Sequence, residues 1–138
     1  NFVSAIRPGN RAGKQPELAW RLRQSAPYVP TPVYHDGHFY LISDAGIASC
    51  VEAKSGLVKW QERVGGRTFG SPVLVDGKFY CISTAGEVAV MCAAETFELL
   101  GKSDLDEDVQ SAPAISGGAM FIRTTESLIS VGGNQSGG

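Results

Sequence analysis

Hydrophobic positions along the chain fall in short runs separated by turn residues. Two runs rich in aromatic and β-branched residues cover 38–43 and 78–83, and each directly follows an Asp-Gly pair. Asp-Gly before such a run is a strong hairpin signal, because glycine reaches the positive φ that a tight primed turn requires. Third runs follow at 47–52 and 88–93, and a fourth at 57–61. The pattern predicts four short strands per unit, joined as an antiparallel meander, with no competing helical period.

The whole unit returns about every forty residues. The tripeptide at 31–33 returns at 71–73 and at 112–114, so the offsets are 40 and 41 residues. An Asp-Gly pair, an Ala-Gly pair and a tryptophan return in the same register, and the third copy keeps the Asp-Gly turn only loosely, as Gly-Gly. A period of this length is typical of stacked repeat architectures. The predicted structural positions of the repeat are Trp20, Trp60, Gly37, Gly77, Gly46, Gly86, Pro32, Pro72 and Pro113.

A four-stranded sheet of this size buries too little apolar surface to be stable alone, so successive copies must pack face to face. Radial packing of such sheets, called blades, about an axis gives a β-propeller. We predict an all-β fold, a partial propeller of about three blades, with both tryptophans on outermost strands and packed between blades. The predicted segments are an irregular N-terminal segment (1–17), an orphan outer strand and connection (18–30), two blades (31–70 and 71–111), an incomplete last blade (112–133) and a flexible tail (134–138).

Two motifs carry a resemblance to a known family. The segment AKSGLVKW (53–60) is followed by SPV (71–73) and then by DGKFY (76–80). This order resembles the repeat of the pyrroloquinoline-quinone-like (PQQ-like) β-propellers, and the likeness covers most of the chain. The third copy departs from the repeat, because Phe97 replaces its glycine and Gly101 its tryptophan, which weakens the prediction of an outer strand there.

The resemblance implies several possible activities, because one fold hosts many. Members include quinoprotein dehydrogenases, outer-membrane-assembly lipoproteins and proteins without known activity. The ending at 121–128 looks like the last repeat of large secreted or periplasmic bacterial members. The dehydrogenases hold their quinone with two adjacent cysteines, a stacking tryptophan on the axis and a Glu/Asn/Asp calcium site. Here no two cysteines are adjacent and both tryptophans occupy repeat positions, so we assign no catalytic, cofactor-binding or metal-binding residue.

Composition and charge narrow the classes of partner. The 138 residues carry 12 basic and 14 acidic side chains, a formal net charge of −2, which argues against nucleic acid and anionic membrane surfaces. No apolar run is long enough to predict a membrane span. Cys50, Cys81 and Cys92 match no metal-binding spacing, and their odd number leaves at least one thiol unpaired. Cys81 and Cys92 could meet across a hairpin, although buried free cysteine is the commoner state.

Three polar clusters have both a functional and a structural interpretation. A metal site or a solvated turn is possible at His35, Asp36 and His38. Calcium binding or a solvated connection between blades is possible at Asp104, Asp106, Glu107 and Asp108. Anion binding, or separate surface and inter-blade hydrogen bonds, is possible at Arg63, Arg67 and Arg123. We favour the structural interpretation in all three cases.

About three blades do not close a ring, since propellers typically have about four to eight. We expect the missing blades on another chain, on a removed or longer segment, or on identical copies, with the N-terminal strand able to complete the C-terminal sheet. The chain starts without an initiator Met and ends in a polar tail, so we expect a processed product or a piece of a longer chain.

Two functions follow from this architecture. We expect a non-catalytic scaffold or binding module that is periplasmic or secreted and presents loops to a protein or glycan partner. The alternative is a fragment of a quinoprotein-type oxidoreductase whose cofactor site lies mostly on the missing blades.

Overall fold

The computed structural model describes residues 1–9 and 13–132. The predicted tail at 134–138 and the last residue of the predicted last blade lie outside the described residues. The described residues form β-strands joined by turns and connections, and no helix able to cross a membrane occurs in this part of the chain. The strands are β1 (Val3–Arg7), β2 (Glu17–Leu22), β3 (Val33–His35), β4 (His38–Ile42), β5 (Ile47–Glu52), β6 (Val58–Arg63), β7 (Val73–Val75), β8 (Lys78–Ile82), β9 (Glu87–Cys92), β10 (Leu99–Asp104), β11 (Ala114–Ser116), β12 (Ala119–Arg123) and β13 (Leu128–Gly132).

The strands form four antiparallel sheets in which each strand pairs with its neighbour in sequence. Strands β3 to β6 make one four-stranded sheet, the first blade, and β7 to β10 make the second blade. Strands β11 to β13 make a three-stranded sheet, and β1 pairs with β2 alone. The predicted fold class, a partial β-propeller of four-stranded meanders, is confirmed.

The prediction of an irregular N-terminal segment is wrong for Val3–Arg7, which forms strand β1. Val3 lies opposite Leu22 and Ala5 opposite Trp20, so β2 is not an orphan strand. Burial explains the pairing, because Val3, Trp20 and Leu22 contribute to one cluster with the first blade. The Arg, Gly and Pro residues that suggested irregular structure lie mainly in the connection between the two strands.

Alternating side chains give each blade two apolar faces. Leu41 and Val51 of the first blade pack toward β1 and β2. On its other face, Tyr40 and Trp60 pack against Phe79 and its neighbours in the second blade. Ile82 and Val88 in turn pack against Ile122 of the last sheet. Three apolar layers therefore hold four sheets in chain order, as the fold requires of sheets too small to stand alone.

The ends of the strands make two different surfaces. One, which we call the turn face, carries the tight turns at 36–37, 76–77 and 117–118 and the longer turns at 53–57 and 93–98. Asp36 and Gly37 have φ of 44° and 79°, and Asp76 and Gly77 have 48° and 69°. Positive φ at both central residues is the type I′ geometry that matches strand twist.

The opposite surface, the loop face, carries the turns at 43–46, 83–86 and 124–127 and the connections between blades at 23–32, 64–72 and 105–113. Gly46 has φ of 78°, and an added Cβ would lie 2.2 Å from the carbonyl oxygen of Gly66. Gly86 repeats this approach, with φ of 87° and 2.4 Å to the carbonyl oxygen of Glu107. Each connection therefore passes directly over the turn of its own blade, which fixes the loop face to the sheets.

The outer strand that the sequence predicted weakly does form, as β10. It pairs with β9, but all six of its residues are exposed. Gly101, in the position of the repeat tryptophan, supplies no side chain to bury. Phe97 replaces a glycine and packs edge-on against Trp60, with ring centroids 5.2 Å apart. Phe97 therefore adds an aromatic contact between the two blades.

Candidate functional site

Both tryptophans bind the neighbouring blade through their indole nitrogens. Trp60 Nε1 donates to the carbonyl oxygen of Ala94 at 2.8 Å, and Trp20 Nε1 donates to that of Ala53 at 2.9 Å. Trp20 also covers Gly56, where an added Cβ would lie 2.6 Å from the indole Cγ. Each indole therefore forms part of a contact between neighbouring blades.

The other repeat positions also lie in turns and connections. Pro32, Pro72 and Pro113 directly precede β3, β7 and β11, where the missing N–H costs a sheet least. Gly37 and Gly77 complete the tight turns of the turn face. Gly46 and Gly86 lie beneath the connections of the loop face. None of these positions presents a chemically active group.

His38 lies in a polar cluster between the first and second blades, on the turn face. The prediction of a solvated turn is wrong for this residue, because only 9% of its surface is exposed. Its Nδ1 lies 2.9 Å from the carbonyl oxygen of Asp36, and its Nε2 lies 3.3 Å from Oε1 of Glu95. Lys59 Nζ lies 3.4 Å from Oε2 of Glu95 and 3.8 Å from Oε1 of Glu52. A lysine ammonium already faces both carboxylates, so the cluster is an ion-pair network that joins two blades.

The titratable groups beside this cluster are held neutral. Burial raises the pKa of the Tyr40 phenol, and the neighbouring Cys50 thiol raises it further. Burial also raises the pKa of Cys50 and, more strongly, that of Cys81. A thiol that stays protonated is a poor nucleophile and a poor metal ligand. These groups contribute to the apolar layer and supply no reactive thiolate.

The cysteines do not approach one another across the predicted hairpin. All three are free, and in the β8–β9 register Cys81 lies opposite Ala89 while Cys92 lies opposite Lys78. Cys92 is partly exposed, and its Sγ lies 3.4 Å from Oε2 of Glu98. Partial burial and then the Glu98 carboxylate raise the pKa of Cys92.

The loop face carries an exposed aromatic residue on a fixed backbone. The Asp44 carboxylate accepts hydrogen bonds from the backbone N–H of Tyr28 at 2.6 Å and of Val29 at 3.2 Å. Tyr28 nevertheless leaves 79% of its surface exposed, and Val29 leaves 50%. The pattern of the sequence did not single out Tyr28, Val29 or Asp44. The only signal was a departure, because Asp44 stands where the next copy has Thr84.

A groove of about 450 Å³ lies beside Tyr28 and Val29. Its lining also includes Asn1, Asp44, Arg67 and Phe69, with the Arg67 guanidinium 4.6 Å from the centre of the Phe69 ring. Arg67 belongs to the connection between the first two blades, so two successive connections shape the groove. We call this surface the Tyr28 groove.

A second cavity of about 420 Å³ opens on the loop face between the second blade and the last sheet. Its lining has five acidic residues and no basic one, namely Asp104, Asp106, Glu107, Asp108 and Glu126, with Ala85 and Thr125. We call these carboxylates the acidic ledge. Glu107 is engaged structurally, because it accepts hydrogen bonds from the hydroxyls of Thr124 and Ser127. In the described residues, no group of three or more His, Cys, Asp or Glu is arranged to hold a metal ion.

The three arginines have separate local partners. Arg63 Nη1 donates to the carbonyl oxygen of Ala45 at 2.6 Å, and Arg123 Nε donates to that of Thr124 at 3.0 Å. Arg67 stacks on Phe69 as described above. Each arginine therefore contacts its own part of the loop face.

Known proteins share the architecture described above. The family described as outer membrane protein assembly factor BamB matches residues 8–96. The structure of BamB from Moraxella catarrhalis superimposes with a TM-score of 0.67 at 18% identity, covering 83% of this chain and 36% of that one. No curated protein sequence matches the chain.

Two redox enzymes share the fold. Quinohemoprotein alcohol dehydrogenase from Comamonas testosteroni matches with a TM-score of 0.55 at 18% identity, covering 72% of this chain and 17% of that one. A europium-containing methanol dehydrogenase matches with a TM-score of 0.59 at 15% identity, covering 75% of this chain and 21% of that one. The chain thus spans about a third or less of the length of these proteins. By its sequence match and its repeats, the chain belongs to the family of the outer membrane protein assembly factor BamB, built from PQQ-like β-propeller blades.

Proposed function

We propose that the chain is part of a non-catalytic β-propeller that binds a protein or glycan partner outside the cytoplasm. The observation that carries this proposal is the position of the two tryptophans. Each indole N–H is bound to the next blade, so neither ring is free to stack on a ligand at the propeller axis.

The described residues do not fit a bound quinone. Such a cofactor would need a stacking tryptophan, and both indoles are buried or partly buried in the layers between blades. Cys50 and Cys81 lie in an apolar layer, and burial raises the pKa of both thiols. Two carboxylates of the turn face, Glu52 and Glu95, already share the Lys59 ammonium, at 3.8 and 3.4 Å. We therefore derive no reaction step that uses this cofactor.

The likeness to quinohemoprotein alcohol dehydrogenase supports one alternative. In that case the chain is a fragment of an oxidoreductase whose cofactor site lies mostly on other blades. Dye reduction distinguishes the two functions. We expect the native protein, supplied with pyrroloquinoline quinone, calcium and a primary alcohol, to reduce no artificial electron acceptor. Alcohol-dependent dye reduction would establish the oxidoreductase instead.

We also propose that further blades complete the propeller. The chain spans 36% of the BamB chain, and both of its end sheets have fewer than four strands. The family description favours a location where outer membrane proteins are assembled, which is outside the cytoplasm. The N-terminal sheet already has two strands and the C-terminal sheet has three, so joining them would give five strands instead of the four of the other blades. We therefore favour further blades on a longer parent or a separate chain over closure between identical copies.

A mass measurement tests this part of the proposal. The native protein, isolated without denaturant, should have a mass well above the 14.6 kDa of this chain. A stable species of 14.6 kDa as the sole native form would contradict it.

A further inference from the structure

We infer that the Tyr28 groove binds an extended basic polypeptide segment, with an aromatic or large aliphatic side chain in the groove and Lys or Arg side chains along the acidic ledge. This inference rests on the proposed function and names its partner class as a peptide. It depends on the described residues of the loop face alone.

The groove offers a preorganised apolar anchor point. Tyr28 and Val29 are exposed, yet the Asp44 carboxylate holds both backbone N–H groups. An aromatic side chain on a fixed backbone loses little freedom on binding, which lowers the entropic cost of the complex. Exposed tyrosine beside other apolar surface is also the composition typical of interface hot spots.

The second wall of the groove accepts a flat apolar group. Phe69 is partly buried and its ring is covered on one side by Arg67 at 4.6 Å. The guanidinium and the Asp44 carboxylate balance each other in charge within the groove. The groove itself therefore selects shape and apolar character rather than sign.

The acidic ledge beside the groove determines which charge a bound partner should carry. Thr84 joins the two surfaces, because its N–H donates to the Arg67 carbonyl at 2.7 Å and its carbonyl accepts from Val109 N–H at 3.0 Å. Ala85, the next residue, lines the acidic cavity. In the described residues no lysine or arginine forms an ion pair with the ledge carboxylates. A chain that leaves the groove in this direction meets uncompensated negative charge, which favours Lys and Arg and disfavours acidic segments.

This charge also decides between a peptide and a glycan. Aromatic grooves bind sugars as well, and sugar hydroxyls donate hydrogen bonds to carboxylates, but a neutral sugar has no positive charge to offset several adjacent carboxylates and an anionic sugar is repelled by them. A polypeptide with alternating basic and apolar residues can use both surfaces at once. The combination therefore favours the peptide.

A random peptide library displayed on phage and selected on the native protein tests the inference. We expect the enriched peptides to carry Lys or Arg together with Trp, Tyr, Phe or Leu. Fluorescence polarisation of a selected peptide should show binding that weakens about tenfold or more in Tyr28→Ala, as for an aromatic hot spot. The combined change Asp106→Asn with Glu126→Gln should weaken binding and reduce its salt dependence.

The matched control is Tyr34→Ala. Tyr34 is also an exposed tyrosine, 61% exposed, but it lies on β3 and contacts Phe39. The Tyr34→Ala protein should bind the selected peptide with the affinity of the wild type. Circular dichroism should show that all variants fold.

Several results would overturn the inference. They are enrichment of acidic peptides, equal binding by Tyr28→Ala, no enriched peptide at all, or a glycan that binds the groove in place of peptides. A native protein partner whose cross-links map to the turn face would overturn the inference and leave the proposed function intact. Dye reduction would instead reject the proposed function, so the two failures are distinguishable.

Discussion

Trp60 of the first blade donates its indole N–H to the carbonyl oxygen of Ala94 in the second blade, at 2.8 Å. The pair lies one period after Trp20 and Ala53, which make the same contact one blade earlier. The repeat of the sequence is therefore a repeat of contacts between blades, in which the outer strands β2 and β6 each bind the turn of the following blade.

Replacing Trp60 should weaken this junction. Trp60→Phe removes the hydrogen bond and part of a buried ring, so we expect a loss of about 1–3 kcal/mol in the free energy of unfolding. Trp20→Phe is the matched variant and should cost less, because Trp20 is only partly buried. Urea unfolding measures both. A Trp60→Phe protein with the midpoint of the wild type would contradict this assignment.

Gly37 and Gly46 allow the stability cost of backbone strain to be measured apart from the cost of steric overlap. Gly37 and Gly46 have nearly equal φ, 79° and 78°, but an added Cβ meets nothing within 4 Å at Gly37 and a carbonyl oxygen at 2.2 Å at Gly46. We expect Gly37→Ala to cost about 1 kcal/mol from left-handed strain alone. Gly46→Ala should cost about 3 kcal/mol or more, because the connection must also move. Equal losses in thermal unfolding would show that the connection does not lie over Gly46.

Thiol reactivity should follow burial and local charge. We expect a disulfide reagent to modify Cys92 first, and Cys50 and Cys81 only when the protein unfolds. The Glu98 carboxylate helps to raise the pKa of Cys92, so Glu98→Gln should lower that pKa and increase the thiolate fraction near neutral pH. Labelling of Cys92 should therefore be faster in Glu98→Gln than in the wild type. The difference should vanish at alkaline pH, where the Cys92 thiol is ionised in both proteins. Glu126→Gln is the control, and equal rates in all three proteins near neutral pH would reject the role of Glu98.

The Asp44 carboxylate should keep the backbone of the Tyr28 groove in place. Asp44→Asn retains the size of the side chain but replaces one carboxylate oxygen with a donor NH2 group, and since each oxygen accepts one of the two backbone hydrogen bonds, one of them is lost. We expect faster hydrogen exchange at the amides of Tyr28 and Val29 and little change elsewhere. Asp106→Asn, on the same face, should leave these two amides unchanged. Unaltered exchange in Asp44→Asn would mean that other contacts fix the loop.

Much of the fold was predictable because it is encoded locally. The Asp-Gly turns, the strand patterns and the forty-residue period each depend on residues close in sequence, and together they predict blades. Strand β1 was missed because its short alternation lies next to a connection rich in glycine and proline, and no Asp-Gly turn joins it to β2. Strand β10 was uncertain because Gly101 replaces the repeat tryptophan, and the contact that Phe97 makes with Trp60 lies across the junction between blades.

The candidate surface was less predictable than the fold, since it uses positions where the copies differ. Asp44 fixes Tyr28 from sixteen residues away, and nothing in the period marks either residue. The burial of His38 depends on Glu95 of the next blade, so its turn alone suggested a solvated site. Contacts between blades have to be seen in three dimensions before such residues can be assigned.

Site-specific photo-cross-linking in cells that produce the native protein shows whether the loop face binds a protein partner. A photoreactive amino acid at position 28 places the reagent on the loop face, and one at the exposed position of Lys54 places it on the turn face. We expect a discrete protein adduct from position 28, identified by mass spectrometry, and none from position 54. If position 28 yields no protein adduct, the loop face does not bind a protein partner.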